Sequence, residues 1–164
     1  LPGQAETWRE LLARHGPALV LFARQFLGTH ADAEDAVQDA FVRFLKVRRR
    51  PDDALAYLYS CVRTASIDAV RTRARRRRVD ENRSAAESVF ADVAERSELA
   101  TSVEAALARL PEEQREVIAM RIWGNLTFAQ IGAALGISPN TASSRYRYAM
   151  ERLEPALAHE VRND

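Results

Sequence analysis

The sequence predicts an all-α protein of two small helical domains joined by a flexible linker, the C-terminal one carrying a helix-turn-helix. Three observations carry that prediction. Apolar residues recur at spacings of three and four along most of the chain, and no stretch sustains a period-two alternation. Gly and Pro number only 6 each, too few for a β protein with many turns. Between residues 80 and 95 the periodicity weakens and acidic and small residues collect, which marks a linker between a domain at 1–79 and another at 96–164. A length of 164 residues suits one domain or two small ones, and a 47% hydrophobic content supplies a core.

Residues 5–27 place Trp8, Leu11, Leu12, Leu19, Phe22, Ala23 and Phe26 at helical spacing. Gly16-Pro17 interrupts this run, so a helix pair or a kink is expected there, with Gly28 as the closing cap. Asp32 to Val47 is the next helix: Asp32, Glu34 and Asp35 sit near its positive N-terminal end, and Val37, Ala40, Phe41, Phe44 and Leu45 form its apolar stripe. Arg48 to Asp53 is a short break, in which Pro51 disfavours helical geometry at the residue before it. From Asp53 as cap, a long helix runs to about Val79 with a stripe of Leu55, Leu58, Val62, Ala65, Ile67, Ala69 and Val70. Residues 80–104 then hold seven acids against two arginines, a solvated and mobile composition.

The second helical block begins near Arg96, with Leu99, Val103, Ala106, Leu107 and Leu110 on one stripe. Pro111 falls in the first turn of the following helix, which carries Val117, Ile118, Met120, Arg121 and Ile122 and stops at Gly124-Asn125. Thr127 and Gln130 have the spacing of a capping box, so a helix starts there, with Phe128, Ile131 and Leu135 facing one way. Gly136 suits the left-handed turn, Ile137 the corner, and Ser138 caps a second helix whose first residue is Pro139. Ala142, Tyr146, Ala149 and Leu153 make its inner stripe, which Pro155 is expected to end.

A formal charge of +1 conceals an asymmetry: residues 1–80 carry 15 basic and 10 acidic side chains, residues 81–164 carry 9 and 13. Local charge therefore says more than the total. The single Cys61 excludes an internal disulfide and, beside Tyr59 and Val62, reads as a small buried hydrophobe. His15, His30 and His159 are scattered, no metal-ligand cluster stands out, and no Gly-rich phosphate loop follows a strand, so neither an enzyme nor a cofactor is expected. No apolar run nears the ~20 residues that span a bilayer and no signal peptide is visible, which makes the cytoplasm the default location.

Two surfaces suit nucleic acid. On the second helix of the helix-turn-helix, Asn140, Thr141, Ser143, Ser144, Arg145, Arg147 and Tyr148 form an outer face with no carboxylate before Glu151. Short donors near the helix start suit phosphates, and arginine or amide groups reach base edges in the major groove. The alternative is an ordinary solvated face, but such faces usually mix signs. Arg71, Arg73, Arg75, Arg76, Arg77 and Arg78 place six guanidinium groups within eight residues. That run is either a charged helix end or a grip on a polyanion. Positive charge suits a helix C-terminus in both cases, and each phosphate neutralised steepens the salt dependence of binding.

Taken together, the two halves resemble the extracytoplasmic-function family of RNA polymerase sigma factors. The segment from Asp32 through Asp35, Val37, Gln38, Asp39 and Phe41 to Phe44 is similar to that family's polymerase-binding helix. Ala56 to Tyr59, followed by Ile67 to Arg71, looks like the next helix, which engages the upstream promoter element near the start site. Leu110-Pro111-Glu112-Glu113-Gln114-Arg115-Glu116-Val117 leads into the helix-turn-helix as in the family, and Ser144-Arg145 matches its Ser-Arg pair. The resemblance extends from about Trp8 to Leu157.

It implies that Asp35, Gln38, Asp39 and Phe41 dock on the clamp helices of the polymerase's largest subunit. It implies that Arg63, Asp68, Arg71 and the following arginines lie at the melted element, and that Thr141, Ser144, Arg145, Arg147 and Tyr148 read the farther one. Core RNA polymerase and promoter DNA are the implied partners, with an anti-sigma factor as a further one. The chain departs from the family in having Tyr57 where Trp is usual, Thr64 where Asn is usual, and only Arg48 to Asp53 where a longer base-capturing loop stands. Two rival readings remain: a free-standing helix-turn-helix regulator, and a sigma-like adaptor that does not open DNA.

Overall fold

A computed structural model describes residues 7–49, 51–80 and 98–161, which form helices only. The chain divides into two compact units, Leu1–Glu87 and Ser88–Asp164. Beyond Asp80, the expected linker lies outside the described residues.

The first unit holds α1 (Trp8–Ala23), α2 (His30–Leu45) and α3 (Ala54–Asp80). Thr7 and Glu10 open α1 with a reciprocal capping box, the Glu10 carboxylate accepting from the Thr7 amide at 2.7 Å. These bonds hold the Glu10 carboxyl below its ordinary pKa. Of the helix pair or kink expected at Gly16-Pro17, the pair does not occur: Pro17 lies inside one continuous helix. Pro17 forfeits a single backbone bond, whereas buried Leu11 on one side of it and Leu19, Phe22 and Ala23 on the other pack into the same core. The helix also stops earlier than expected, at Ala23, and Gly28 is no left-handed cap. The amides of Gln25 and Phe26 close the turn by donating to the carbonyls of Phe22 and Ala23.

Helix α2 starts at His30 because Thr29 caps it, its hydroxyl oxygen accepting from the Asp32 amide at 3.2 Å. Asp53 caps α3 as expected, accepting from the Ala56 amide at 2.9 Å. The buried face of α3 is Ala56, Leu58, Tyr59, Cys61, Val62, Ala65 and Ser66, while Val70 is exposed. The expected stripe is buried at Leu58, Val62 and Ala65, half-buried at Leu55, Ile67 and Ala69, and fails at Val70, beyond which α3 faces solvent. Phe22 anchors this core, its ring 5.2 Å from Tyr59 and 5.5 Å from Phe26 in edge geometry.

The second unit comprises α4 (Glu98–Ala108), α5 (Glu112–Ile122), α6 (Phe128–Leu135) and α7 (Pro139–Val161). Ala106, Leu107, Leu110, Ile118, Ala149 and Leu153 form its buried cluster, with Trp123, Tyr146 and Leu157 packed against it. Pro111 is the N-cap of α5, one residue before the expected first turn. Pro155 does not end α7, which runs on to Val161 because Ala156 and Leu157 still pack on the core.

Candidate nucleic-acid interface

The corner between α6 and α7 is built from local signals. Thr127 and Gln130 make both halves of a capping box, at 3.0 and 3.1 Å. Gly136 turns left-handed (φ 67°, ψ 34°), and the Ile137 amide donates to the Gly132 carbonyl at 3.0 Å. Ser138 Oγ accepts from the Thr141 amide at 3.1 Å and lies 2.9 Å from Thr141 Oγ1. This fixes the first turn of α7 in solvent, where Pro139, Asn140 and Thr141 are all exposed.

Along that helix Ala142 and Ala149 are fully buried and Leu153 nearly so, as the inner stripe requires. The outer face divides. Arg147 and Tyr148 are exposed, with the guanidinium 5.1 Å from the ring centroid, a stacking that presents both groups together. Ser143 and Ser144 are half-buried, and so is Arg145, whose Nη2 lies 3.9 Å from Glu113 Oε1 on α5. The sequence places Arg121 on α5 without a role and does not single out Gly132. Arg121 donates to the Leu126 carbonyl at 2.8 Å and covers the Phe128 ring at 4.8 Å, so it fastens the entry to α6. An arginine among apolar positions was the available signal.

In the first unit, Arg71, Arg75, Arg76, Arg77 and Arg78 are exposed on the solvent-facing part of α3 and Arg63 is half-buried. Asp68 is not bare: Arg43 of α2 donates to it at 2.9 Å. Arg73 donates to Asp32 of α2. On α2, Asp35, Gln38 and Asp39 are exposed while Ala33, Ala36, Val37 and Ala40 face the core. Phe41, expected to dock beside them, is instead buried at 7% exposure, its ring 6.4 Å from that of Phe44. Cys61 is buried, and burial pushes its thiol pKa up, only partly offset by a hydrogen bond from Tyr57 and the charge of Arg43. Among the described residues, no group of three or more His, Cys, Asp or Glu side chains is placed to hold a metal. No described helix is long and apolar enough to cross a membrane.

The family described as sigma-70 region 2 matches residues 11–76, and sigma-70 region 4 matches residues 106–154. ECF RNA polymerase sigma factor SigE of Mycolicibacterium smegmatis is 29% identical over 163 residues, the aligned part covering 93% of this chain and 62% of SigE. This chain thus spans less than two thirds of that relative's length. ECF RNA polymerase sigma factor SigF of Caulobacter vibrioides is 31% identical over 168 residues, covering 99% of this chain and 89% of its own length. In fold, the chain is similar to the sigma factor RpoE of Bartonella quintana in complex with the anti-sigma factor NepR, with TM-score 0.71, 24% identity, and coverage of 94% and 98%. CnrH, solved in complex with the cytosolic domain of CnrY, is similar with TM-score 0.61 and 28% identity, covering 92% of this chain and 87% of CnrH.

Proposed function

The chain belongs to the ECF RNA polymerase sigma factors, non-enzymatic proteins that direct RNA polymerase to promoters, and from that premise we propose how its surfaces divide the work. Residues 1–79 form the polymerase-binding and start-site-proximal domain, 80–95 the linker, and 96–164 the domain for the farther promoter element. The observation that carries the reading is the two-sided character of α2: an apolar face packed into its own unit, and a solvent face that offers Asp35, Gln38 and Asp39 together. A partner with a basic, partly apolar surface suits that face.

Arg63, Asp68, Arg71, Arg73, Arg75, Arg76, Arg77 and Arg78 on α3 are assigned to the upstream part of the melted element. Asn140, Thr141, Ser143, Ser144, Arg145, Arg147 and Tyr148 on α7 are assigned to the farther element in the major groove. CnrH, solved in complex with the cytosolic domain of CnrY, shows that a similar chain takes a further protein partner, and for this chain an anti-sigma factor is the one proposed. Work on cytoplasmic polymerase puts the protein in the cytoplasm.

Competition for purified bacterial core RNA polymerase tests the docking assignment. A Gln38→Ala, Asp39→Arg variant is expected to bind at least about tenfold more weakly than wild type, since like charges brought together at an interface cost affinity. Equal binding by the two proteins would remove α2 as the docking helix. The short connection between Leu45 and Ala54 favours one second reading, an adaptor that docks without opening DNA. Permanganate reactivity of promoter thymines in the holoenzyme complex separates the two, being present for an opening factor and absent for an adaptor.

A further inference from the structure

The ion pairs Arg43–Asp68 and Asp32–Arg73 cross from α2 to α3, and neither belongs to the core or to the capping of α3. Arg43 Nη2 lies 2.9 Å from Asp68 Oδ2, with both side chains close to half exposed. Asp32, in the first turn of α2, receives Arg73 on the same carboxylate oxygen that the Thr29 hydroxyl reaches. The helix N-terminus and the cap residue hold the Asp32 carboxylate where it is, so Arg73 comes to Asp32 rather than the reverse.

These pairs act on the residues of α3 assigned above to nucleic acid. Asp68 is a carboxylate standing just before the arginine run, and beside a phosphate an unneutralised carboxylate repels. Arg43 neutralises it from the neighbouring helix. Arg73 is the opposite case: a cation within the run whose guanidinium is engaged by a carboxylate. The charge that α3 offers to DNA is therefore set partly by α2.

We propose that Arg43 is a positioning residue that cancels the charge of Asp68, and that Asp32 is one that withholds Arg73 from phosphate. The inference rests on the reading of α3 as a DNA-facing helix and extends it by naming two residues of the docking helix as regulators of that surface. Neither residue touches the nucleic acid.

The full-length protein, saturating core RNA polymerase and titrated with a labelled promoter duplex at several salt concentrations, provides the test. A variant with Arg75, Arg76, Arg77 and Arg78 replaced by Ala is the control for the reading itself. If its salt dependence equals that of wild type, α3 does not hold the duplex, and the reading and the inference fall together. If the control is less salt-dependent, the reading stands and the remaining variants decide the inference alone. Asp32→Asn, which keeps a side-chain oxygen near Thr29, is expected to steepen the salt slope by about one unit as Arg73 gains a phosphate. Adding Arg73→Ala should return it to the wild-type slope. Arg43→Ala is expected to weaken binding about fivefold at low salt through the bared carboxylate, and Asp68→Asn in the same chain should restore it. An Asp32→Asn slope equal to wild type, or an Arg43→Ala defect that Asp68→Asn leaves uncorrected, would overturn the proposal. A merely structural loss would not be repaired by the second substitution.

Discussion

A Cβ built on Gly132 would lie 2.6 Å from the Ile137 carbonyl oxygen and 3.3 Å from the Pro139 nitrogen, both backbone atoms that cannot rotate aside. The absence of a side chain there lets α6 approach the turn that launches α7. Gly132→Ala is expected to destabilise the second unit by about 1–3 kcal/mol through overpacking. Gly28 is the contrasting case: nothing lies within 4 Å of the added atom and its φ is not left-handed. Gly28→Ala is expected to be neutral or to stabilise by about 0.5 kcal/mol through the unfolded chain. Urea denaturation followed by circular dichroism measures both, and a Gly132→Ala midpoint at or above wild type would mean that α6 can move away from the turn without cost. Cys61 makes a prediction of another kind. Its thiol pKa is raised by burial, so at neutral pH less thiolate forms than on a free cysteine, and the thiolate is the reactive species. Alkylation by iodoacetamide should be much slower in the folded protein than in urea at the same pH, and equal rates would show that α3 opens readily.

At the scale of helices, what could be read from the sequence followed the range of each signal. The Thr127–Gln130 capping box, the Gly136 turn, the Ser138 cap and the Asp53 cap all depend on residues three or four apart, and all four stand in the structure. The end of the α3 stripe depends on where α1 and α2 stop covering the helix, which no local window contains. Propensity disfavours proline inside a helix and so points to a helix pair or a kink at Pro17 and an end at Pro155, but packing on both sides of each outweighs one lost backbone bond. The pairs Arg43–Asp68 and Asp32–Arg73 join residues 25 and 41 apart, so the sequence could rank Asp68 and Arg73 as site candidates but could not pair them with Arg43 and Asp32. Phe41 shows the same limit: the apolar stripe points it to the core, the family resemblance points it to the partner, and the fold buries it. The capping box supports a prediction at this scale. Thr127→Ala removes the side-chain bond to the Gln130 amide and is expected to cost about 1 kcal/mol, with Thr127→Ser retaining most of it. Denaturation of the two variants side by side checks this, and equal loss in both would point to the methyl group instead of the hydroxyl.

For the molecule as a whole, assigning polymerase docking to α2 and promoter reading to α7 puts two different steps of initiation on two different units. The steps respond differently to concentration. Docking is a bimolecular equilibrium, so a weakened docking face can be compensated by mass action: when the factor exceeds its new dissociation constant for core polymerase, holoenzyme forms as before. A weakened promoter contact cannot be compensated this way, because the holoenzyme is already complete and its hold on DNA is unchanged by more free factor. In transcription from a promoter the protein serves, with promoter DNA limiting, the Gln38→Ala, Asp39→Arg variant should therefore recover toward wild-type output as factor is titrated upward. Arg147→Ala, which removes an exposed cation stacked on Tyr148 at 5.1 Å, should instead plateau below wild type at every factor concentration. Raising the concentration of preassembled holoenzyme should lift that plateau, since the lost contact is worth about 1–3 kcal/mol at most. The salt dependence separates the variants again: Arg147→Ala should lower the slope of promoter binding by no more than about one unit, and the docking variant should leave it unchanged once holoenzyme is saturated. A plateau defect in the docking variant would mean that α2 also acts after polymerase is bound. Full recovery of Arg147→Ala by added factor alone would mean that α7 contributes to assembly rather than to promoter contact.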